Sequence, residues 1–260
     1  MTGAVGGFGP VTPRKVLVTG ASGFFGSAIV RRLRREHEVV TASRSQGVDV
    51  LDAGALARAA RGCATIVHAA AQVVGSEGDL VATNVDGTRH ALDAARRENA
   101  AFILISSAGA AGPRTAYGRT KAAAEALVED HAPSLPGAAI LRFYNLYGDG
   151  DPRGVVARFL REDPIILEGD GTAVRDFLHV DDAAEAVACS LVPRGLVRAD
   201  VGTGRGVSIL QLAKLFNKRV LQGPAPGAQI MHSVAIPHAI PGWSPKVELE
   251  AWIHSRQERP

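Results

Sequence analysis

A tyrosine and a lysine four residues apart, Tyr117 and Lys121 in the segment YGRTK, are spaced to carry out acid–base chemistry. Residues i and i+4 of a helix share a face, so the phenol and the ammonium group would lie about one turn apart. An ammonium group favours the phenolate, and we therefore expect Lys121 to lower the pKa of Tyr117 toward the working range. Ser106 and Ser107 end the preceding apolar run, where the ligand-facing residues of a parallel sheet gather. These residues predict proton exchange with an alcohol or carbonyl oxygen.

A glycine-rich segment, TGASGFFG at 19–26, is a candidate phosphate site. Gly20, Gly23 and Gly26 recur every third residue between the first apolar run and the first helical pattern. Glycines let the backbone approach a pyrophosphate, whose charge is favourable at a helix N-terminus. An ordinary strand-to-helix turn would use the same residues, but this placement favours dinucleotide binding.

The end of the second apolar run bears on which dinucleotide binds. An Asp or Glu there would hold the adenosine 2′-hydroxyl, but the sequence reads TASR and ends in Ser43 and Arg44. A guanidinium can grip a 2′-phosphate with paired hydrogen bonds, which a carboxylate would repel. The alternative is a solvated arginine in a loop. We favour NADP(H) over NAD(H).

These side chains need a scaffold in which strand ends converge. Continuous apolar strands are predicted at 15–19, 38–42, 65–69, 102–106 and 138–143. The helices predicted between them lie at 22–35, 80–98 and 116–130. This alternation predicts an α/β fold with a Rossmann-type doubly wound parallel sheet.

After Tyr147 the pattern loosens into turn-rich sequence with a helix over 155–161, a strand near 176–180 and a helix from Asp182. Beyond residue 200 we predict a single clear helix, at 209–217. The expected organisation is a flexible N-terminus over 1–12, an NADP-binding domain over 13–147 plus about 176–203, and a small substrate-binding lobe over 148–175 and 204–260.

Composition excludes several classes of protein. Of 260 residues, 46% are hydrophobic and 21% charged, so a disordered chain is excluded. No apolar run approaches the ~18 residues of a membrane helix. With a net charge of +3 and no dense basic tract, we predict no nucleic-acid partner. Cys63 and Cys189 cannot build a disulfide framework and the N-terminus lacks a secretory signal, so we expect a cytoplasmic protein, without a metal site.

From about residue 15 to 253 the chain resembles the extended short-chain dehydrogenase/reductase family, the group of nucleotide-sugar epimerases, dehydratases and reductases. The motifs occur in the family's order: TGASGFFG at 19–26, Asp49-Val50, HAAA at 68–71, NVDGT at 84–88, Ser106-Ser107, YGRTK at 117–121, LRFYNLYG at 141–148, GDGTAVRDFLHVDD at 169–182 and VGTG at 201–204.

The resemblance implies a role for each matching position. Tyr117 would be the general acid/base, Lys121 would bind the nicotinamide ribose, and Ser107 would hydrogen-bond the reacting oxygen. The cofactor contacts would also include Gly20, Ser22, Gly23, Phe24, Phe25, Gly26, Ser43, Arg44, Asp49, Val50, Ala69, Ala70, Ala71 and Asn84. The substrate contacts would be Ser107, Ala108, Gly109, Asn145 and Arg175.

Two further implications concern Arg175 and His179. Arg175 would clamp the diphosphate of a nucleotide sugar, and a salt bridge with Asp176 or Asp181 is the alternative. His179 is expected to be structural. Many members of the family are dimers, so a homodimer is expected by resemblance.

Departures from the family's patterns narrow the reaction. Sugar-nucleotide 4,6-dehydratases carry an Asp-Glu pair after the catalytic Ser or Thr, where this chain has Ala108 and Gly109. Dual 3,5-epimerase/reductases carry a cysteine just after the serine, and both cysteines of this chain lie elsewhere. The segment between Gly112 and Tyr117 is also shorter than in many epimerases. The reaction that these departures leave is hydride transfer with a single proton donor.

We therefore expect an NADPH-dependent reductase of a nucleotide-linked, dTDP-type 4-keto-deoxysugar, as used in antibiotic glycosides or cell-surface glycans. The alternatives are a nucleotide-sugar 4-epimerase with bound NAD(P) and a reductase of a non-nucleotide carbonyl compound. A regulator that senses NADP(H) without turnover is disfavoured, because such proteins usually lose the tyrosine or the lysine.

Overall fold

The computed structural model describes residues 12–112, 115–224, 232–236, 238 and 240–257. The predicted flexible N-terminus therefore lies, up to residue 11, outside the described residues. The strands are β1 Lys15–Thr19, β2 Glu38–Ala42, β3 Thr65–His68, β4 Ala101–Ser107, β5 Gly137–Phe143, β6 Asn145–Tyr147, β7 Ile165–Leu167, β8 Val174–His179, β9 Gly195–Val201, β10 Gly206–Ser208, β11 Val220–Gln222 and β12 His232–Ser233. The helices are α1 Phe24–Leu33, α2 Ala53–Ala60, α3 Glu77–Val81, α4 Gly87–Arg97, α5 Ala116–His131, α6 Val155–Arg161, α7 Val180–Cys189, α8 Ile209–Lys214 and α9 Leu249–Gln257.

The main sheet has six strands in the order β2-β1-β3-β4-β5-β9, and all of its pairings are parallel. This confirms the predicted Rossmann-type α/β fold. The chain builds outward from β1 to β2 and then crosses to the other side of β1 to form β3. Ligands of open α/β sheets bind outside the carboxyl ends of the strands at such a switch point. The glycine-rich loop follows β1 at this position.

Alternating side chains of the strands fill two cores, one on each face of the sheet. Val16 and Val18 pack with α1 and α7 on one face, whereas Leu17 belongs to the core formed with α2, α4 and α5 on the other. Burial on both faces explains why these strands are continuous apolar runs rather than alternating ones. Because helices cover both faces of the sheet, its carboxyl edge is where loops can bind a ligand.

A smaller lobe adds a second sheet, in which β8 pairs with β6, β10 and β12, and a two-stranded pairing of β7 with β11. Its core contains Tyr147, Phe159, Phe216 and Trp252. Residues 145–147 and 176–179, which we assigned to the nucleotide domain, thus pair in the second sheet. The division into domains as a whole stays a prediction.

The prediction of a single helix beyond residue 200 is wrong, because α9 is a second one. The sequence of α9, LEAWIHSRQ, buries only Trp252 and Ile253. Two adjacent apolar residues do not form the repeat, at three- and four-residue spacing, that predicts a helix from sequence. The helix is stabilised by packing against the core of the small lobe, which no local pattern in the sequence shows.

Asp176 joins three segments of the small lobe. Its carboxylate is fully buried and accepts hydrogen bonds from the Thr203 backbone N–H (2.9 Å) and hydroxyl (2.6 Å). The same carboxylate accepts the N–H groups of Gly204 (2.8 Å) and Ala235 (3.2 Å). Buried charge is tolerated when it is hydrogen-bonded in this way.

Asp182 anchors the chain that leads into α9. Its Oδ2 accepts the backbone N–H groups of Lys246 (2.9 Å) and Val247 (2.8 Å), and its carbonyl accepts Trp243 Nε1 (2.7 Å). Asp176, within β8, and Asp182, in the first turn of α7, therefore fix later segments of the chain in the small lobe.

Candidate active site

The glycine-rich loop is packed so tightly that two of its glycines have no room for a side chain. Gly20 has φ +65°, and a Cβ there would lie 2.6 Å from the Ala70 nitrogen. A Cβ on Gly26 would lie 2.0 Å from the Gly20 carbonyl oxygen. The ends of β1 and β3 and the first turn of α1 can approach one another only with glycine at both places.

The N-terminus of α1 opens into this loop. Gly23 is the N-cap and makes no side-chain capping hydrogen bond. The first N–H groups of a helix have no partner within it, and they favour an anion. The loop therefore suits a pyrophosphate group.

A cleft follows the carboxyl edge of β1, β2 and β3 and brings together most of the predicted cofactor residues. It is lined by Gly20, Ser22, Gly23, Ala42, Ser43, Arg44, Val48, Asp49, Val50, Leu51, Ala69, Ala70, Ala71 and Thr83. Ala42, Val48, Leu51 and Thr83 were not singled out from the sequence, although each lies beside a predicted residue. Phe25 packs edge-on against Phe143, with 4.7 Å between ring centroids, so its ring serves the core beneath the loop.

Arg44 is exposed on the wall of the cleft that follows β2. Within the described part of the chain, its guanidinium group makes no hydrogen bond or ion pair. Ser43 is buried, and its hydroxyl is used within the turn, 2.9 Å from Gln46 Oε1 and 3.0 Å from Ser45 Oγ. Ser43 thus shapes the turn that presents Arg44.

Asn84 lies in a π-helical turn, Ala82–Asp86, between α3 and α4. Its buried amide accepts the Gln72 N–H (2.7 Å) and donates to the Gln72 carbonyl (2.9 Å) and to Thr120 Oγ1 (2.9 Å). Such π-turns are frequent at functional sites. Asn84 therefore positions the chain after Ala71 against α5, and its direct contact with a cofactor stays a prediction.

The ends of β1 and β3 are joined by a hydrogen-bonded pair of side chains beneath the cleft. Thr19 Oγ1 lies 2.9 Å from His68 Nδ1 and accepts the Ala70 N–H at 3.2 Å. Burial lowers the pKa of His68 to about 3, and the charge of Lys121 acts in the same direction. His68 is therefore a neutral structural link near neutral pH.

The three predicted catalytic residues meet where α5 begins. Thr115 caps the helix by accepting the Gly118 N–H at 3.0 Å. A Cβ on Gly118 would lie 2.6 Å from the Gly109 carbonyl, so the first turn of α5 packs directly on the loop after β4. The phenol of Tyr117 hydrogen-bonds with Ser107 there. Residues 113 and 114, within the short segment noted in the sequence, lie outside the described residues.

The expectation that Lys121 lowers the pKa of Tyr117 is wrong. Burial raises the pKa of Tyr117, and the hydrogen bond with Ser107 opposes this rise only in part. The ammonium group of Lys121 instead donates to the Ile105 carbonyl at 2.7 Å. Tyr117 is therefore a protonated phenol at neutral pH, ready to donate a proton.

Lys121 is itself buried, with 1% of its surface exposed. Burial lowers its pKa to about 8, and the carboxylate of Glu125 acts in the opposite direction. The lysine is thus largely charged at pH 7, although its pKa lies only a little above that pH.

A second pocket, in the small lobe, contains the predicted substrate residues Asn145 and Arg175. Its lining is completed by Arg153, Val155, Arg158, Glu168, Gly171, Ala173 and Ile209. Asn145 Nδ2 donates to the Asp176 carbonyl at 3.1 Å, which fixes the side chain at the wall of the pocket. Arg153 and Arg158 were missed because they lie in or after a turn-rich segment without a chemical motif.

Arg175 does not form the salt bridge that was its alternative role. The Asp176 carboxylate is occupied by the backbone groups described above, and Asp181 pairs with Arg31. Arg175 Nη1 donates to the Val174 carbonyl at 2.9 Å, and burial lowers the pKa of this arginine. Its guanidinium group therefore keeps donors for an anionic ligand.

The structure also bears on the predicted role of His179 and on metal binding. His179 packs against Tyr147 and Trp252, with ring centroids 5.1 and 5.8 Å away, in a structural position. No three His, Cys, Asp or Glu side chains are grouped to hold a metal ion in the part of the chain that the structure describes.

None of the described helices is both long enough and apolar enough to span a membrane.

Comparisons with known proteins identify the family of the chain. The family model of the NAD dependent epimerase/dehydratase family matches residues 16–194. The chain is 37% identical over 116 residues to dTDP-L-rhamnose 4-epimerase of Burkholderia thailandensis, which covers 40% of this chain and 32% of that protein. It is 34% identical over 187 residues to dTDP-4-dehydrorhamnose reductase of Streptomyces griseus, which covers 64% and 58%.

One solved structure shares both the fold and most of the length. MoeE5 in complex with UDP-glucose and NAD superposes with a TM-score of 0.84 at 26% identity, over 94% of this chain and 97% of that chain. Because the family model covers more than half of the sequence, the chain belongs to the NAD dependent epimerase/dehydratase family.

Proposed function

We propose that the protein is an NADPH-dependent reductase of a nucleotide-linked 4-keto-deoxysugar, with dTDP as the nucleotide. The observation that carries the proposal is Arg44, an exposed guanidinium group without a partner among the described residues, on the wall of the coenzyme cleft after β2. Neither the end of β2 nor Ser43 offers a carboxylate to a 2′-hydroxyl. A free arginine at this place favours a 2′-phosphate, and net reduction gains from the NADPH pool.

The coenzyme cleft fits a dinucleotide by its shape and its chemistry. Gly20 and Gly26 carry no side chain that could block a pyrophosphate from the backbone of the loop. The start of α1, which no side chain caps, faces the position that the pyrophosphate would occupy. A bound nicotinamide coenzyme would supply the hydride. Lys121 would hold the nicotinamide ribose through its ammonium group, next to Tyr117 and Ser107.

The protonated state of Tyr117 suits a reduction. The carbonyl carbon of the sugar gains a hydride while its oxygen takes the phenolic proton of Tyr117, which gives an alcohol and a phenolate that is reprotonated from solvent. Ser107 would donate a hydrogen bond to the same oxygen and orient it. Because burial raises the pKa of Tyr117, the acid form is the resting form at neutral pH.

The substrate pocket supports a nucleotide sugar rather than a plain ketone. Among the residues that line it, Arg175 and Arg153 supply guanidinium groups and Asn145 supplies an amide. Guanidinium groups bind phosphate oxygens through paired hydrogen bonds. Ala108 and Gly109, in the turn after Ser107, bring no carboxylate to the reacting centre, which disfavours dehydration.

A nucleotide-sugar 4-epimerase is the second candidate. It is favoured by the 37% identity to a dTDP-L-rhamnose 4-epimerase and by the NAD bound in MoeE5. Such an enzyme oxidises and re-reduces its substrate, so it would consume no coenzyme. The homodimer and the cytoplasmic location predicted from the sequence stay predictions.

The test is coenzyme consumption by the purified protein. NADPH or NADH would be incubated with dTDP- and UDP-linked 4-ketosugars and with free ketones, and UDP- and dTDP-hexoses would be incubated without added coenzyme. Oxidation of NADPH with a dTDP-linked 4-ketosugar supports the proposal. Interconversion of a nucleotide hexose without net coenzyme consumption would establish the epimerase instead, and oxidation of NADPH with free ketones alone would exclude a nucleotide-sugar substrate.

A further inference from the structure

An ion pair with a buried carboxylate and a partly exposed arginine lies one helical turn beyond Lys121. Glu125 is 4% exposed. Its carboxylate accepts hydrogen bonds from Arg142 on β5, from Nε at 2.9 and 3.1 Å and from Nη2 at 2.5 Å. This two-pronged geometry is the strong form of an arginine–carboxylate pair. Neither residue belongs to the catalytic set predicted from the sequence.

The pair reaches the strand that carries Ser107. Glu125 Oε1 accepts the hydroxyl of Ser106 at 2.5 Å, and the Ile105 carbonyl, one residue earlier, accepts the ammonium group of Lys121 at 2.7 Å. Two consecutive residues of β4 are thus bonded to two consecutive turns of α5. Ser107 follows immediately on the strand, and Tyr117 precedes Lys121 by one turn on the helix.

The charges around Lys121 come from three elements. Glu125 and Tyr117 lie on its own helix, His68 faces it from β3, and Arg142 on β5 lies behind Glu125. His68 is neutral near pH 7. Glu125 is therefore the one anion among these groups near neutral pH.

We propose that Glu125, held in place by Arg142, is a positioning residue of the active site: it fixes α5 to the end of β4 and keeps the ammonium group of Lys121 charged against the Ile105 carbonyl. This inference rests on the proposed function in one respect, that Lys121 contacts the coenzyme. It explains why the carboxylate of an arginine–glutamate pair is buried here, where replacement by apolar residues would often be neutral or stabilising.

The same helix contains a matched pair without these contacts. Glu129 lies one turn beyond Glu125 and pairs with Arg198 of β9 at 2.6 Å, with side chains 39% and 50% exposed. It touches neither Ser106 nor Lys121 in the described structure. Glu129→Gln therefore breaks an ion pair of the same kind on α5 and serves as the control for Glu125→Gln.

The test is the pH dependence of coenzyme binding, which needs no sugar substrate. Dissociation constants of NADPH and NADH would be measured by fluorescence from pH 6 to 10 for the wild type, Glu125→Gln and Glu129→Gln. An ammonium group is present below its pKa and lost above it, so binding should weaken as pH rises through the pKa of Lys121, about 8. Loss of the Glu125 anion should move this midpoint down by about one unit, which weakens binding about tenfold above pH 8.

A double variant guards against misfolding. Glu125→Gln leaves Arg142 unpaired, whereas Glu125→Gln with Arg142→Met removes both charges of the pair, so that Lys121 alone loses a counter-charge. The double variant should show a downward shift as well, while Glu129→Gln keeps the wild-type midpoint. An unshifted midpoint in folded Glu125→Gln or in the double variant, or a wild-type affinity without a midpoint, would overturn this inference alone. Failure of the folded wild type to bind either coenzyme would overturn the proposed function with it.

Discussion

The coenzyme cleft and the small lobe are held together in different ways. The cleft is built mainly from backbone: glycines that admit close approach, an uncapped helix N-terminus and strand ends that meet at a switch point. The small lobe is held by side chains, above all by the buried carboxylates of Asp176 and Asp182, which accept N–H groups from distant segments.

This difference explains what can vary in each region. A backbone site needs particular residues at a few adjacent positions, so its signal is local in the sequence. In a lobe that is held by two buried carboxylates, most surface residues can be substituted as long as these two remain. Such a lobe can therefore be adapted to different substrates. The four substitutions below test this contrast, from the largest expected effect to the smallest.

Tyr117→Phe should separate catalysis from coenzyme binding. We expect turnover of the dTDP-linked 4-ketosugar to fall by roughly 100- to 10,000-fold, because the proton donor is lost, with the NADPH dissociation constant unchanged. Steady-state kinetics and fluorescence titration measure the two quantities. Tyr147→Phe is the matched control in the small lobe, where the hydroxyl donates to the Val247 carbonyl at 3.3 Å and the ring would be kept, and it should retain turnover. Substantial turnover by Tyr117→Phe would contradict the assigned role.

Asp176→Asn should destabilise the protein and the small lobe in particular. The amide presents N–H groups where the carboxylate accepts from Thr203, Gly204 and Ala235, so we expect a loss of roughly 2–4 kcal/mol in the free energy of unfolding. Urea unfolding measures it. Asp170→Asn changes an exposed carboxylate bonded to Thr172 and should leave the urea midpoint nearly unchanged. Equal effects of the two substitutions would remove the basis for treating Asp176 as an anchor.

Gly20→Ala should impair the backbone site through steric contact. A Cβ there would lie 2.6 Å from the Ala70 nitrogen at φ +65°, whereas at Gly47, with φ +77°, no atom lies within 4 Å. Both changes add the strain of a left-handed backbone, about 1–2 kcal/mol, but only Gly20→Ala also displaces the β3 loop. We expect at least a tenfold loss of NADPH affinity in Gly20→Ala and little change in Gly47→Ala. Similar affinities in both variants would show that the close approach is not needed.

Arg44→Asp should change the choice of coenzyme with little effect on the fold. Replacing the cation by an anion should weaken NADPH binding by roughly 10- to 100-fold and leave NADH binding equal or stronger, because only NADPH has the 2′-phosphate. Competition titrations with both coenzymes measure the ratio. Arg34→Asp, at the exposed end of α1, makes the same change of charge away from the cleft and should leave the ratio unchanged. A ratio unaffected by Arg44→Asp would contradict the NADP(H) assignment.

The contrast also decides what the sequence alone could predict. The bounds of β1 and β2 were predicted correctly at both ends, because short runs of apolar and β-branched residues bounded by polar residues and turns are local signals. Most of the cleft residues lie together because they belong to the end of a predicted strand or to the loop that follows it. By comparison, α9, β9 and the arginines at 153 and 158 depend on packing between distant segments, and no local pattern marks them.

The pKa of Tyr117 illustrates the same limit within the site. Helical spacing correctly placed Tyr117 and Lys121 on one helix near Ser107, but it could not show that Lys121 bonds to the Ile105 carbonyl. Nor could it show how deeply the phenol is buried. Burial decided the direction of the shift, and burial is a property of the folded chain.

The most direct test of the proposed reductase is hydride tracing. The purified protein would be incubated with a dTDP-linked 4-ketosugar and NADPH carrying deuterium at both hydrogen positions of nicotinamide C4, and the product would be examined by mass spectrometry and NMR. For the proposed reductase we expect one deuterium at the former carbonyl carbon for each NADPH oxidised. Interconversion of a nucleotide hexose with no NADPH oxidised and no deuterium incorporated would contradict it.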